Sequence, residues 1–275
     1  MSDDTLTLNG ADWKVKDYYG EDWRWRDSHI SVRFDAGAWY PASVPGTVAN
    51  DLLAAGEIPN PYFERNSRLI EWIPARTWVY RKVFTVDAAR RGQRAQLRFE
   101  GIDYAAQIFL NGHDLGAHSG MYVPALFDVD GEALNYGGEN VLAVVILPAP
   151  HEEPQVGRSS RVRTHKSRMT YWWDFCPRMV HVGLWDDVTL RFSGDVRLDD
   201  VFVRPRLDDA FERAEVDVTL ALDARTAHDP LTVEVVIRDG DAVVSRMTAV
   251  RRVGVGADSL TLTLPVDQPR LWYPN

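Results

Sequence analysis

AAQIFLNG, residues 105–112, is a run of strand-forming residues closed by Asn111-Gly112. Both turn positions of a tight hairpin need positive φ, which Asn and Gly accept most readily. The pattern repeats on both sides. Downstream, a strand ends at Phe127-Asp128-Val129 and a loop follows at Gly137-Gly138-Glu139-Asn140. Residues 141–147 (VLAVVIL) are then continuously apolar, as a strand buried on both faces would be. Upstream, residues 95–99 (AQLRF) alternate and residues 100–103 (EGID) turn. Residues 77–86 (TWVYRKVFTV) alternate as a half-buried strand does. A short strand is predicted over residues 6–13, and VTLRF, residues 188–192, closes the unit. Only one helix is predicted, over residues 48–55, with Thr47 as N-cap and Gly56 as stop. Pro59, Asn60 and Pro61 forbid regular structure after it. Many strands, one helix and long loops add up to an antiparallel β-sandwich over residues 1–193.

The remaining residues, 195–275, read as a second β unit. Short strands are predicted at 196–205, 215–222, 231–238, 242–250 and 260–264, with an Asp239-Gly240 hairpin between the third and fourth. Val216, Val218, Leu220 and Leu222 share one face. This pattern suits an immunoglobulin-like sandwich, which takes about seven strands. With only five strands readable, the expectation is a segment of a longer polypeptide whose last sheet edge is unpaired.

Composition narrows the function classes. The 275 residues include 31 basic and 40 acidic side chains, a net charge of −9, which argues against a general nucleic-acid binder. Arg158, Arg161, Arg163, Lys166 and Arg168 form one basic cluster with no acid among them, the composition of a solvated loop. Cys176 is the single cysteine, so no internal disulfide forms, which suits a reducing compartment. The opening residues, MSDDTLTLNG, are acidic and polar, unlike a signal peptide, and no apolar run reaches membrane-spanning length. The expected location is cytoplasmic, with no membrane partner. The histidines show no metal-binding spacing, so no metal and no cofactor are expected.

Two stretches are unusually aromatic. Residues 12–27 combine Trp13, Trp23, Trp25, Tyr18 and Tyr19 with many charges. Residues 171–185, YWWDFCPRMVHVGLW, place Asp174 between Trp173 and Phe175. Aromatic faces cover the C–H face of a pyranose, and a carboxylate accepts bonds from its hydroxyls. The same residues would also build a buried corner whose Asp caps a turn. Cys176 is expected to be a buried, inert small residue.

Four segments, in order, resemble the N-terminal part of glycoside hydrolase family 2, its β-mannosidase branch above all. They are VPGTVANDLLAAGEIPNPYFERN (44–66) with EWIPARTWVYRKVF (71–84), FEGIDYAAQIFLNGHDLGAHSGMYVPALFDV (99–129), WWDFCPRMVHVGLWDDVTL (172–190) and LWYPN (271–275). The third is similar to the family's Trp-Asp-Trp-Gly-Pro-Arg motif. Departures are Ala49 where a His is usual, Thr77 for a common Asp, and Phe175-Cys176 for Trp-Gly. The resemblance implies an all-β chain, a jelly-roll (galactose-binding-like) sandwich followed by an immunoglobulin-like one, with the catalytic (β/α)₈ barrel absent.

The activity it implies is retaining hydrolysis of terminal β-mannosides. Another family 2 exoglycosidase (exo-β-glucosaminidase, β-galactosidase or β-glucuronidase type) and a free-standing carbohydrate-binding module are the alternatives. Retaining glycosidases use two carboxylates about 5–5.5 Å apart. In this family both lie on the barrel, so no catalytic residue is assigned to this chain. Asp174 is implied as a hydroxyl ligand in the −1 subsite and Trp173 as the aromatic beside it. Arg178 could orient Asp174 or simply pair on the surface; Lys166 is a weaker candidate.

Overall fold

The computed structural model describes residues 4–129, 131–151 and 162–274. The chain divides into two compact units, residues 1–192 and 193–275.

In the first unit the strands are β1 (Thr5–Thr7), β2 (Gly10–Tyr18), β3 (Tyr40–Val44), β4 (Thr77–Thr85), β5 (Arg94–Phe99), β6 (Ile102–Asp103), β7 (Ala105–Leu110), β8 (His113–Ser119), β9 (Ala125–Asp128), β10 (Glu139–Ile146), β11 (Gly183–Leu184) and β12 (Val188–Ser193). They form a six-stranded sheet in the order β3-β2-β4-β10-β7-β8, a four-stranded sheet β1-β12-β5-β9, and the small pair β11-β6. The strand predicted over residues 6–13 is two strands in different sheets. β1 pairs with β12 and β2 with β4, and the chain crosses between them at Leu8-Asn9. Trp13 secures the crossing by donating its indole N–H to the Leu8 carbonyl at 2.8 Å.

The Asn111-Gly112 hairpin forms as expected, with φ of 52° and 83° and Leu110 opposite His113. β10 lies between β4 and β7, and its residues 141–146 are buried. One of its faces (Leu142, Val144, Ile146) joins the core between the sheets; the other (Ala143, Val145) packs under residues 19–39 with Val79, Phe109, Tyr18, Trp23 and Trp39. That second cover is why the run has no polar alternation. Arg81 points the same way and ties the cover down, donating to the carbonyls of Ser28 (3.2 Å) and Ser31 (2.7 Å). The one α-helix among the described residues, α1 (Val48–Ala54), starts where predicted, the Thr47 hydroxyl accepting the Asn50 N–H at 3.3 Å.

The second unit has five antiparallel strands: β13 (Val196–Leu207), β14 (Arg213–Ala224), β15 (His228–Asp239), β16 (Ala242–Val253) and β17 (Gly256–Asp267). One sheet is β13-β14-β17 and the other is β15-β16. Each strand runs for twelve residues, longer than its apolar core, because the flanking polar residues still pair across the ladder. Asp239 pairs with Ala242, so the hairpin turn is Gly240-Asp241, one residue later than predicted. Val216, Val218, Leu220 and Leu222 are buried on one face as expected. Among the described residues no helix is long and apolar enough to cross a membrane.

Candidate functional site

The registers of the six-stranded sheet bring several loops to one end of the first unit. Tyr18 pairs with Thr77, Ile146 with both Trp78 and Ala106, and Ala105 with Ser119. The segments around residues 74–76, 100–104, 120–122 and 147–150 therefore emerge together. Residues 162–185 are fastened across that end. The Tyr171 hydroxyl donates to the Pro150 carbonyl (2.8 Å) and the Ala149 N–H to Pro74 (2.8 Å). The Trp185 indole donates to Met121 (3.0 Å), and its ring lies flat against Gly101, where a Cβ would come within 2.4 Å of it.

The deepest fastening is a buried ion pair. The Lys166 ammonium donates to both carboxylate oxygens of Asp103, at the end of β6, and to the His181 carbonyl at 2.7 Å. Both side chains are almost fully buried. Burial pushes the Asp103 carboxyl up and the Lys166 ammonium down, and their mutual attraction opposes both shifts. Burial, then the neighbouring Lys166 charge, holds the His181 imidazole below its usual range. The basic cluster read as a solvated loop is thus, at Lys166, a structural anchor. Arg168 is likewise engaged, with the Thr164 carbonyl, and Arg158 and Arg161 lie outside the described residues.

Beyond this anchor a short 3₁₀ turn, Arg168–Tyr171, leads into the aromatic stretch. Trp172 has φ 125° and ψ 142°, a conformation that costs a non-glycine residue roughly 1–3 kcal/mol. Trp173 and Cys176 then exchange backbone hydrogen bonds at 3.4 Å each way. Asp174 and Phe175 are the two corner residues of this turn, and both are exposed. Asp174 has no hydrogen-bond or ion-pair partner among the described residues, so it does not cap the turn. Trp173 is half-buried beside it. Arg178 does not reach Asp174; its guanidinium lies 5.9 Å from the centroid of the Tyr171 ring. Cys176 is half-buried rather than buried, its thiol 3.3 Å from the Met169 carbonyl.

The assembled end offers a free carboxylate between aromatic side chains. Sequence reasoning found that much, because the residues are contiguous. It did not find Asp103 as the partner of Lys166, nor Tyr122, whose ring meets those of Trp185 (6.1 Å) and His165 (5.9 Å). No sequence pattern signals contacts over such separations. Among the described residues no three His, Cys, Asp or Glu side chains are placed to hold a metal ion.

Residues 13–186 match the family described as glycosyl hydrolase 2, galactose-binding domain-like, and residues 196–275 match glycosyl hydrolases family 2. The chain is 27% identical over 241 residues to β-mannosidase B of Thermothelomyces thermophilus, covering 84% of this chain and 27% of that protein. It is 30% identical over 258 residues to a mannosylglycoprotein endo-β-mannosidase of Lilium longiflorum, covering 86% and 27%. The solved β-D-mannosidase of Dictyoglomus thermophilum superposes with a TM-score of 0.77 at 27% identity, over 98% of this chain and 32% of that one. The chain thus spans less than a third of the length of these relatives. With a galactose-binding-like domain over residues 13–186 followed by a family 2 domain over residues 196–275, the chain belongs to glycoside hydrolase family 2.

Proposed function

We propose that this chain is the sugar-facing front of a retaining exo-glycosidase acting on terminal β-mannosides, and that it carries no catalytic carboxylate of its own. The observation that supports this most is Asp174: exposed, unpartnered and set at the corner of an aromatic turn. A carboxylate held there accepts hydrogen bonds from the hydroxyls of a terminal sugar while Trp173 lies against its apolar face. Arg178 takes no part in holding the carboxylate; its guanidinium lies 5.9 Å from the Tyr171 ring centroid. The likeness to enzymes named β-mannosidase supports the choice of sugar. The likeness to an endo-acting relative gives a second reading, cleavage at an internal mannosidic bond.

The full-length glycosidase tests both. An aryl β-mannoside reports exo action, and an oligosaccharide with one internal β-mannosidic bond reports endo action. Turnover of only a β-glucosaminide, β-galactoside or β-glucuronide overturns the mannoside reading. Asp174→Ala is expected to lower kcat/KM about 100-fold, a loss of transition-state binding. An unchanged kcat/KM in a normally folded variant removes Asp174 from the site. The 275-residue chain alone is expected to hydrolyse none of these substrates.

A further inference from the structure

The aromatic, charged stretch at residues 12–27 has no part in the site above. Burial splits it in two. Trp13, Tyr18 and Trp23 belong to the core, whereas Tyr19 is 67% exposed and Trp25 86%. Beside them, between the end of β2 and the segment covering the outer face of the six-stranded sheet, lies an open cleft of about 560 Å³. Its apolar wall is Phe34 and Trp39, packed edge to face with ring centroids 5.7 Å apart. Its polar lining is Lys16, Asp17, Asp22 and Arg26, two cations and two carboxylates. Tyr19 stands on the rim with one ring face held by the Arg76 guanidinium, 3.3 Å from its centroid. Trp25 is not part of the cleft lining; it lies in the 3₁₀ turn Asp22–Arg26, whose two end residues line the cleft.

These features select a ligand class. Arg76, on the rim and 3.9 Å from the Asp17 carboxylate, adds a third cation, so the cleft presents both signs of charge: an anion meets two carboxylates and a cation meets three basic groups. A purely apolar ligand would strip water from four charges without replacing its hydrogen bonds. A neutral polyhydroxylated ring satisfies donors and acceptors together and places its C–H face on the exposed aromatics. We propose that this cleft is a second carbohydrate subsite, taking a neutral hexopyranose oligosaccharide, with Tyr19 and Trp25 as stacking faces and Asp17 and Asp22 as hydroxyl acceptors. Only the choice of mannose for the probe rests on the function proposed above.

The test is titration of the ¹⁵N-labelled 275-residue chain with β-1,4-mannotetraose, followed by the indole N–H signals and by calorimetry. Saturable shifts at Trp25 and Trp39, with millimolar affinity, are expected. Tyr19→Ala and Trp25→Ala remove exposed rings and leave the fold intact; each is expected to weaken binding about tenfold. Asp174→Ala is expected to leave these shifts unchanged. The proposal is overturned if mannotetraose moves neither indole. It is equally overturned if Asp174→Ala abolishes binding that Tyr19→Ala and Trp25→Ala do not touch. That second result would place all affinity on the aromatic turn and leave the proposed function standing. An unchanged kcat/KM in Asp174→Ala would remove the proposed function and leave the titration to stand by itself.

Discussion

Asp51 shows how one buried carboxyl sets a pH dependence. It lies in α1, its Oδ1 accepting the Ser43 N–H at 2.9 Å and its Oδ2 the Tyr80 hydroxyl at 3.0 Å. Burial outweighs both bonds and raises its pKa from 3.8 to about 6. A carboxyl raised in this way holds its proton more tightly folded than unfolded. Its stabilising contribution is full below about pH 4 and is lost as pH rises through about 6. A displacement of that size is worth about 3 kcal/mol at most. Asp51→Asn keeps an acceptor for Ser43 and lets the amide donate to the Tyr80 oxygen, without the charge. The variant is expected to be more stable than the parent above about pH 7, by up to about 3 kcal/mol, with the advantage vanishing near pH 4. Urea midpoints across that range measure it, and a constant difference contradicts it. The sequence does not distinguish Asp51 from an exposed helix aspartate, since its burial comes from β3 and β4. The turn around Asp174, by contrast, is built from residues adjacent in sequence, Trp173 to Cys176.

Among the elements, β11 has an influence beyond its two residues. The Gly46 N–H donates to Leu184 (2.7 Å) and the Val48 N–H to Val182 (3.0 Å), so this strand holds the start of α1 against the return from the aromatic turn. Gly183 makes the approach possible. Its φ is 154°, and a Cβ there would lie 2.7 Å from the Gly46 oxygen and 2.8 Å from the Thr47 Cα, both backbone. Gly183→Ala is expected to cost about 1–3 kcal/mol and to lower the melting temperature of the first unit by several degrees. Thr47→Ala, which removes only the cap, is expected to cost about 1 kcal/mol. Calorimetry distinguishes the two, and an unchanged transition in Gly183→Ala contradicts the clamp. The helix, its cap, the Asn-Gly turn and β10 were readable because each is specified by adjacent residues. The crossing at Leu8-Asn9 was not. Nothing in the alternation of residues 6–13 says which sheet each half joins, because both halves are strand.

Across the whole molecule, the two units differ in how completely they close. The first has two packed sheets and a covering segment; in the second, sheets of three and two strands leave open edges. Beside the core of that unit a cleft of about 660 Å³ opens between the sheets, bordered by Leu207, Val216, Ile237 and Trp272 and by the charged Arg238, Asp239, Asp267 and Arg270. Phe202 on the edge strand β13 and Val250 on β16 are exposed. Unpaired edges carrying such side chains template pairing with other chains. The 275-residue chain is expected to self-associate as its concentration rises, and Phe202→Lys with Val250→Lys to raise the concentration at which light scattering increases. Equal scattering from parent and variant would exonerate the edges. Five alternating strands made this unit's fold legible, whereas their true length was hidden by polar ends that pair without being buried.

The Lys166–Asp103 pair bears on how freely the segment carrying the aromatic turn can move. Parting the two leaves a buried charge without its counterpart, a loss of about 3–5 kcal/mol in comparable pairs. Residues 162–185 therefore cannot fray as an independent loop; they open only when the end of the sandwich opens with them. On the proposed function, a sugar reaching Asp174 meets a turn already tied to the sandwich, and binding is spared part of the entropy of organising it.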